Sequence, residues 1–439
     1  MKKFKLLFFP SDLGGGFGHI SRCVALAQEA KHRGHNCAFV INSSKYEKTI
    51  GNDFRIFISM LSPKWSSLFL LLKNKIVSVR SHPSPLFTEF TGLDYQVVRD
   101  GLVNEEIIEK RVAHYLKIVN TFKPDLLIGD TNLLVWMLGK KVDIPVVQIV
   151  RYASHPGTAK LIWWKNEPEG MNLPHSSALF NSLLVRMGLM PIKKAEDLLR
   201  GNLFIVPSIP EIEPIPEDGK TVHVGELTIS RSTNEIPAWF QEIDEHLPLV
   251  YITIGGGAGP VGNKLFFSTI VETFANKPLQ VVVSTSSKFD SLDFTNLSKN
   301  VRFFQWVPGK RLISKANLVI FHGGYGTMME SITCGKPTIT IPFHSEQEGN
   351  GRRLEQLGCG LVVKLSKETY KRIEGKWKYG TYSLLVQNRY DLTAEEFMRE
   401  VNKTLFNSEY LNKAQNLQSK VKEYHGSEKA MELIEKCWG

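Results

Sequence analysis

Nine short apolar runs, each closed by turn residues, alternate along this chain with segments of helical period. Four lie in the first half (FKLLFFP, NCAFVIN, PDLLIGD and IPVVQIV). Five lie in the second (PLVYITIGG, LQVVVST, NVRFFQW, ANLVIFHGG and KPTITIP). Runs so short and so uniformly apolar read as strands buried on both faces, which are found in parallel sheets covered by helices. Parallel neighbours need a crossover connection, usually a helix, so the alternation implies doubly wound α/β units. At 439 residues the chain has room for two or three such units. Between the two strand series, residues 207–250 carry PSIPEIEPIPEDGK and NEIPAWFQEIDEHLP, rich in proline and acidic residues as linkers are. The expected layout is a first domain over 1–220, a linker over 221–247, a second domain over 248–405, and C-terminal helices over 406–439 packing back on the first.

Charge narrows the partners. Lys and Arg number 54 against 44 Asp and Glu, a net charge of +10. Such an excess suits phosphorylated ligands or acidic membrane surfaces. Nucleic acid has only this net charge in its favour and is not expected as a partner. The cysteines, Cys23, Cys37, Cys334, Cys359 and Cys437, form no CxxC pair and no metal-ligand spacing, which fits a reducing, cytoplasmic setting. The opening MKKFKLLFFP runs straight into a glycine-rich turn and reads as a buried first strand rather than a signal peptide. No apolar stretch has the length to span a bilayer. The run at 68–80, LFLLLKNKIVSVR, reads as a packed element, with peripheral contact at the inner face of the membrane as its alternative use.

Each half opens with a strand and a glycine turn: PSDLGGGFGHIS, containing Gly18 and His19, and ITIGGGAGP, containing Gly256. Ligands of doubly wound sheets sit beyond the carboxyl ends of the strands, so both turns should face a common cleft. A third turn, FHGGYGTMMESITCG, leaves a strand at His322 and enters a helix near Tyr325–Thr327 that ends at Gly335. A helix start presents free N–H groups to anions. Gly324 and Gly326 would let a phosphate approach, and the Thr327 hydroxyl adds a donor. Glu330, about 5 Å further in, would repel a phosphate and suits neutral hydroxyls such as those of ribose. Upstream, Trp306 offers a face to a nucleobase. Downstream, Glu346, Gln347 and Asn350 suit polyhydroxyl recognition.

The stretch from Gln305 to Val363 resembles the nucleotide-sugar signature of family 1 glycosyltransferases, UDP-glycosyltransferase-like enzymes of the GT-B fold. It keeps the order Trp, His-Gly-Gly-x-Gly-Thr, Glu, Gly-x-Pro and acidic-Gln-x-x-Asn. The resemblance implies two Rossmann-like domains facing across a cleft. It also implies that Trp306 stacks on the base, Val307 binds it through its main chain, and His322 with Gly324–Thr327 holds the diphosphate. Glu330 would take the ribose, and Glu346 with Gln347 the sugar. Gly309 stands where the family usually has Gln or His, and Glu346 where it has Asp. The N-terminal GGGFGHIS and Arg22 are also similar to the peptidoglycan GlcNAc transferase. Residues of about 366–390 look like an insertion.

Glycosyl transfer needs a base for the acceptor hydroxyl, and His19 at a helix start fits that role. Asp130, closing PDLLIGD, would hold its other nitrogen, as the family's His–Asp pair does. The expected reaction is displacement with inversion from a nucleotide-sugar donor, a UDP-sugar first, to a hydroxyl of an apolar small molecule or lipid. The apolar residues of 55–110 and 151–205 suggest that acceptor class. No Asp-x-Asp occurs, so no metal and no other cofactor is called for. A Walker-type nucleotidase is disfavoured because DGKT at 218–221 lacks its upstream glycine. A dinucleotide oxidoreductase is disfavoured because GGGFGH lacks an acidic partner. A UDP-GlcNAc 2-epimerase-like enzyme and a non-catalytic donor-binding subunit remain as rivals.

Overall fold

The computed structural model describes residues 2–13, 16–59, 85–89, 92–158, 169–216, 218–229, 237–255, 264–285 and 298–439. Seven strands form the first sheet: β1 (Lys5–Pro10), β2 (Asn36–Ile41), β3 (Arg55–Ile58), β5 (Leu126–Asp130), β6 (Val146–Ile149), β7 (Leu203–Val206) and β8 (Thr221–His223). The intervening β4 (Phe87–Glu89) belongs elsewhere. All pairings are parallel, in the order β3-β2-β1-β5-β6-β7-β8. Six parallel strands form the second sheet, in the order β11-β10-β9-β12-β13-β14. They are β9 (Leu249–Thr253), β10 (Gln280–Ser284), β11 (Val301–Phe304), β12 (Leu318–Phe321), β13 (Thr338–Thr340) and β14 (Gly360–Val362). Each sheet is buried on both faces by helices, giving two apolar clusters per domain.

Strand order reverses at β1/β5 in the first sheet and at β9/β12 in the second, and such switch points open the crevices where ligands bind. The turn containing His19 leaves β1, and Asp130 closes β5 directly beside it, paired in register with Pro10. In the second sheet Gly255 follows β9 and His322 follows β12, with Thr253 and Phe321 paired in register.

Three features depart from the expected layout. The connection does not begin at 221, because Thr221–His223 is the edge strand of the first sheet. Nor is 207–220 a plain surface tether: Ile209 and Ile212 are fully withdrawn from water in the second domain's core. Proline and glutamate dominate that composition, while the isoleucines spaced through it do the packing. Finally, the C-terminal helices divide. Helix Ser408–Val421 places Ala414, Leu417 and Val421 in the second core, and only Ser427–Trp438 returns to the first, through Ala430, Met431 and Ile434.

The two domains also exchange segments. The 366–390 insertion is a hairpin, β15 (Lys371–Trp377) and β16 (Gly380–Gln387), whose second strand pairs antiparallel with β4 of the first half. Trp377 and Tyr379 pack on the first core, and the Tyr379 hydroxyl donates to Glu105 at 3.0 Å. In return Leu86 is buried in the second core, and Thr88 bridges to His344, just before Glu346. Residues 68–80, most of the apolar stretch at 159–170, and Gly256 lie outside the described residues. Among the described residues no helix is long and apolar enough to cross a membrane.

Candidate functional site

Helix Gly18–His32 begins straight after the first glycine turn, so His19 sits in its first turn with the ring one-third exposed. Its Nδ1 lies 2.7 Å from Oδ1 of Asp130, whose side chain is completely buried. Arg22, one turn along the same helix, grips that carboxylate in a two-pronged bond, Nε to Oδ2 at 2.8 Å and Nη2 to Oδ1 at 2.9 Å. The same Nη2 is 2.9 Å from His19 Nδ1. A guanidinium can only donate, so Nη2 bonds Nδ1 only where that nitrogen is bare; in the tautomer that pairs His19 with Asp130 through the shorter 2.7 Å contact, Nδ1 carries the proton and the carboxylate is the acceptor both groups share. That tautomer leaves the Nε2 lone pair free as a base. Burial alone would raise the Asp130 pKa, but Arg22 and His19 outweigh it and hold the group at about 2. The carboxylate is therefore a fixed negative charge at any physiological pH.

Across the cleft, helix Tyr325–Thr333 starts at Gly324. The glycines of this turn divide their work differently from the sequence expectation. Gly323 has φ +86°, and a Cβ there would lie 2.4 Å from the Gln347 carbonyl oxygen. Cβ atoms on Gly324 or Gly255 would each come within 2.3 Å of the His322 ring. These glycines make room for protein groups. Gly326 alone of the turn faces open space, with nothing within 4 Å of an added Cβ, so it is the position that clears an approach to the helix start. Burial and His344 push the His322 pKa down to about 4, so the ring is a neutral hydrogen-bonding group and not a cation.

The remaining predicted positions fall around this turn. Trp306 is 64% exposed, an unusual amount for its size, and offers a bare ring face. Val307 beside it is core. Thr327 is part-buried in the first turn of the helix. Glu330 lies one turn in, and burial together with Glu226, against a smaller effect of Lys310, raises its pKa to about 7. Gln347 spends its Oε1 on the Phe343 N–H at 2.8 Å, which fixes the start of helix Ser345–Gln356 and leaves its amide nitrogen. Asn350 departs from expectation. Its amide donates to the Gly323 carbonyl at 2.8 Å and its oxygen accepts from Arg151 at 2.7 Å, so it braces the turn.

Arg151 and Glu213 escaped the sequence reading, as did the part played by the ring of Tyr325, which was expected only within the diphosphate-binding helix start. Arg151 follows strand β6, and its position at a carboxyl end, after the run IPVVQIV, was the signal available. Its guanidinium stacks on the Tyr325 ring at 3.7 Å, while Arg22 approaches the same ring at 5.9 Å. The first residue of the second domain's helix is thus held between two arginines of the first. Arg151 also bonds Glu346 at 3.2 Å and Asn350 at 2.7 Å, so groups of both domains share one cleft. Burial would raise the Glu346 pKa, but the charge of Arg151, with smaller effects of His344, His19 and Arg99, outweighs it and lowers the pKa.

A family model described as the glycosyltransferase family 28 C-terminal domain matches residues 263–405. The NDP-glycosyltransferase YjiC of Bacillus subtilis is 26% identical over 317 residues, covering 71% of this chain and 72% of that protein. The chain is a GT-B glycosyltransferase. The fold assignment rests on solved structures that match along nearly their whole length. The calicheamicin glycosyltransferase CalG4 superposes with a TM-score of 0.70 at 18% identity, over 99% of this chain and 98% of that one. The spinosyn rhamnosyltransferase SpnG gives 0.67 at 17%, over 98% and 100%. SpnG has been solved with thymidine diphosphate and with the spinosyn aglycone. In the transferase described here, the His19–Asp130 pair and the Gly324 helix start stand at the two switch points that face each other across the cleft.

Proposed function

We propose that this enzyme moves a sugar from a nucleoside diphosphate donor to a hydroxyl of an apolar acceptor by direct displacement. The observation that carries the reading is the base-ready His19, oriented by a buried Asp130, in the same cleft as the open helix start at Gly324–Thr327. His19 Nε2 takes the acceptor proton as the acceptor oxygen bonds to the anomeric carbon from the face opposite the diphosphate. The bond from that carbon to the phosphate oxygen breaks, and its electron pair leaves with the nucleoside diphosphate. Free N–H groups at the helix start, with Thr327, stabilise the departing charge, which lets the reaction proceed without a metal. Attack from the opposite face inverts the anomeric configuration.

Trp306 stacks on the base and Val307 meets it through the main chain. Glu330 receives the ribose hydroxyls, which favours a UDP-sugar, and Glu346 with Gln347 receives those of the sugar. An aglycone or lipid acceptor is supported by the spinosyn aglycone bound to SpnG; described apolar residues of the first domain such as Leu93, Val97, Leu179 and Phe180 are buried in the first core and do not themselves form an acceptor surface. Purified enzyme, UDP-sugars and a panel of aglycone and lipid acceptors, followed by mass spectrometry and NMR of the product, test the reading. A glycoside of inverted configuration is expected. Epimerised sugar formed without any acceptor would overturn it.

Glu330 supplies a pH test. Hydroxyls donate best to an ionised carboxylate, and the free group changes state near pH 7. UDP affinity, measured by calorimetry, should rise about tenfold from pH 6 to pH 8, with proton release on binding near pH 7. Glu330→Gln should flatten the profile; a flat profile in the native enzyme would remove Glu330 from the ribose. The sign for stability is opposite. A folded pKa above the unfolded 4.5 means that this group's contribution to the ligand-free fold falls as pH rises through about 7.

A further inference from the structure

We propose that Arg151 is a positioning residue for the donor sugar: it reaches from the first domain to hold Glu346 of the second. The inference rests on the reading of Glu346 as a sugar ligand and adds what sets its geometry. Arg151 is built as a rigid arm. Its Nε and Nη2 bind Oε1 of the buried Glu213 at 2.8 and 2.6 Å, and the other oxygen of Glu213 accepts the Tyr152 N–H at 2.7 Å. The Tyr325 ring underlies the guanidinium, and the Tyr325 hydroxyl is tied to the Pro207 carbonyl at 2.9 Å. Two donors then point at the second domain, Nη2 to Asn350 at 2.7 Å and Nη1 to Glu346 Oε1 at 3.2 Å.

Glu346 itself is 48% exposed, and among the described residues its carboxylate has one hydrogen-bonded partner, Arg151, while His344, His19 and Arg99 act on its charge from further away. Oε1 is held by Arg151, and the half-exposed side chain leaves the carboxylate accessible to a ligand. This also explains why the position carries Glu. An aspartate, shorter by one methylene of about 1.5 Å, would fall away from a guanidinium anchored in the opposite domain. Bond strength is not the only consequence. Holding a long, flexible side chain in one rotamer before the sugar arrives removes an ordering cost from binding.

The test is a double-mutant cycle. Arg151→Met alone would strand the buried Glu213 charge, so it is paired with Glu213→Gln. The double variant should raise the donor KM about tenfold, with kcat within about twofold and a clearly smaller loss of UDP affinity, because UDP carries no sugar and meets Arg151 only through Asn350 and Tyr325 at the diphosphate turn. Glu346→Asp in the native background should raise the donor KM by a similar factor, and should add nothing in the double variant. Additive effects, or an unchanged KM in a folded double variant, overturn the proposal. If the double variant does not fold, Glu346→Asp decides, and an unchanged KM there overturns it. Glu346→Gln separates the two levels. Its failure to alter the donor KM would remove Glu346 from the sugar, and Arg151 with it. A weakened Glu346→Gln beside a native-like double variant would sink Arg151 alone.

Discussion

Replacement of His19 by alanine should lower turnover by two to four orders of magnitude while donor binding and thermal stability stay close to native. The magnitude is that of a positioned general base. Fold and donor binding should survive for reasons visible around the ring. His19 is one-third exposed, packs no core, and leaves the Asp130–Arg22 pair intact when it is removed. Its place in the first turn of helix Gly18–His32, in the first domain, keeps it off the helix start at Gly324. The measurement is single-turnover rate beside calorimetric affinity for UDP. Native turnover in His19→Ala would exclude it as the base and would favour a different proton acceptor in the cleft.

The second large effect belongs to Asp130→Asn, and it combines two losses. An amide can present its NH2 group to His19 Nδ1, which favours the tautomer with the proton on Nε2 and removes the base; a cost of about 10^3–10^4 in turnover is expected. Independently, Arg22 keeps its charge with only a tenth of its side chain exposed and loses its partner. Stranding a buried charge costs about 3–5 kcal/mol of stability. Denaturant unfolding reads that loss, and Asp130→Asn combined with Arg22→Met separates it from the chemistry. The pair of changes should restore much of the stability and none of the turnover. Recovery of turnover in the double variant would make Asp130 a purely structural anchor.

The Asp130 carboxylate also sets an acid limit. Its folded pKa of about 2 lies below the unfolded 3.8, so its contribution is fully present above pH 3.8 and is lost as pH falls through about 2. By linkage the difference is worth ~2 kcal/mol. Glu330 pulls the other way near neutrality, because burial raises its pKa where Arg22 lowers that of Asp130. Two carboxylates of one cleft thus answer to different pH ranges, one as a permanent charge and one poised to lose its proton as a ligand arrives.

Most strands that reached the sequence reading carry an unbroken apolar run inside a sheet, such as β1, β5, β9 and β12, with the edge strand β11 an exception. Among those of the two parallel sheets that escaped it were Arg55–Ile58, Leu203–Val206, Thr221–His223 and Gly360–Val362, short strands at or near a sheet margin, and β4, β15 and β16 of the small antiparallel sheet escaped it as well. A three-residue edge strand carries too few side chains to show a period. The same limit hid the packing of Ile209 and Ile212 behind the prolines and glutamates around them.

What the sequence determined by itself was local and periodic: parallel α/β units, glycine turns at carboxyl ends, and the residues that bear chemistry within a few positions of each turn. His19, Asp130, Glu330 and Glu346 were all legible because each lies at a strand end or in the first turns of the helix that follows. Which of these groups meet depends on packing between distant segments. Arg22 and Arg151 bracket Tyr325, Glu213 stiffens Arg151, and a hairpin near the end of the chain pairs with a strand from the first quarter. None of these contacts has a period or a spacing, since their strength comes from burial and charge brought together across hundreds of residues. The glycines make the point most directly. Their sequence announces a turn, but only the packed molecule shows that Gly323 and Gly324 yield space to Gln347 and His322, while Gly326 keeps the helix start open.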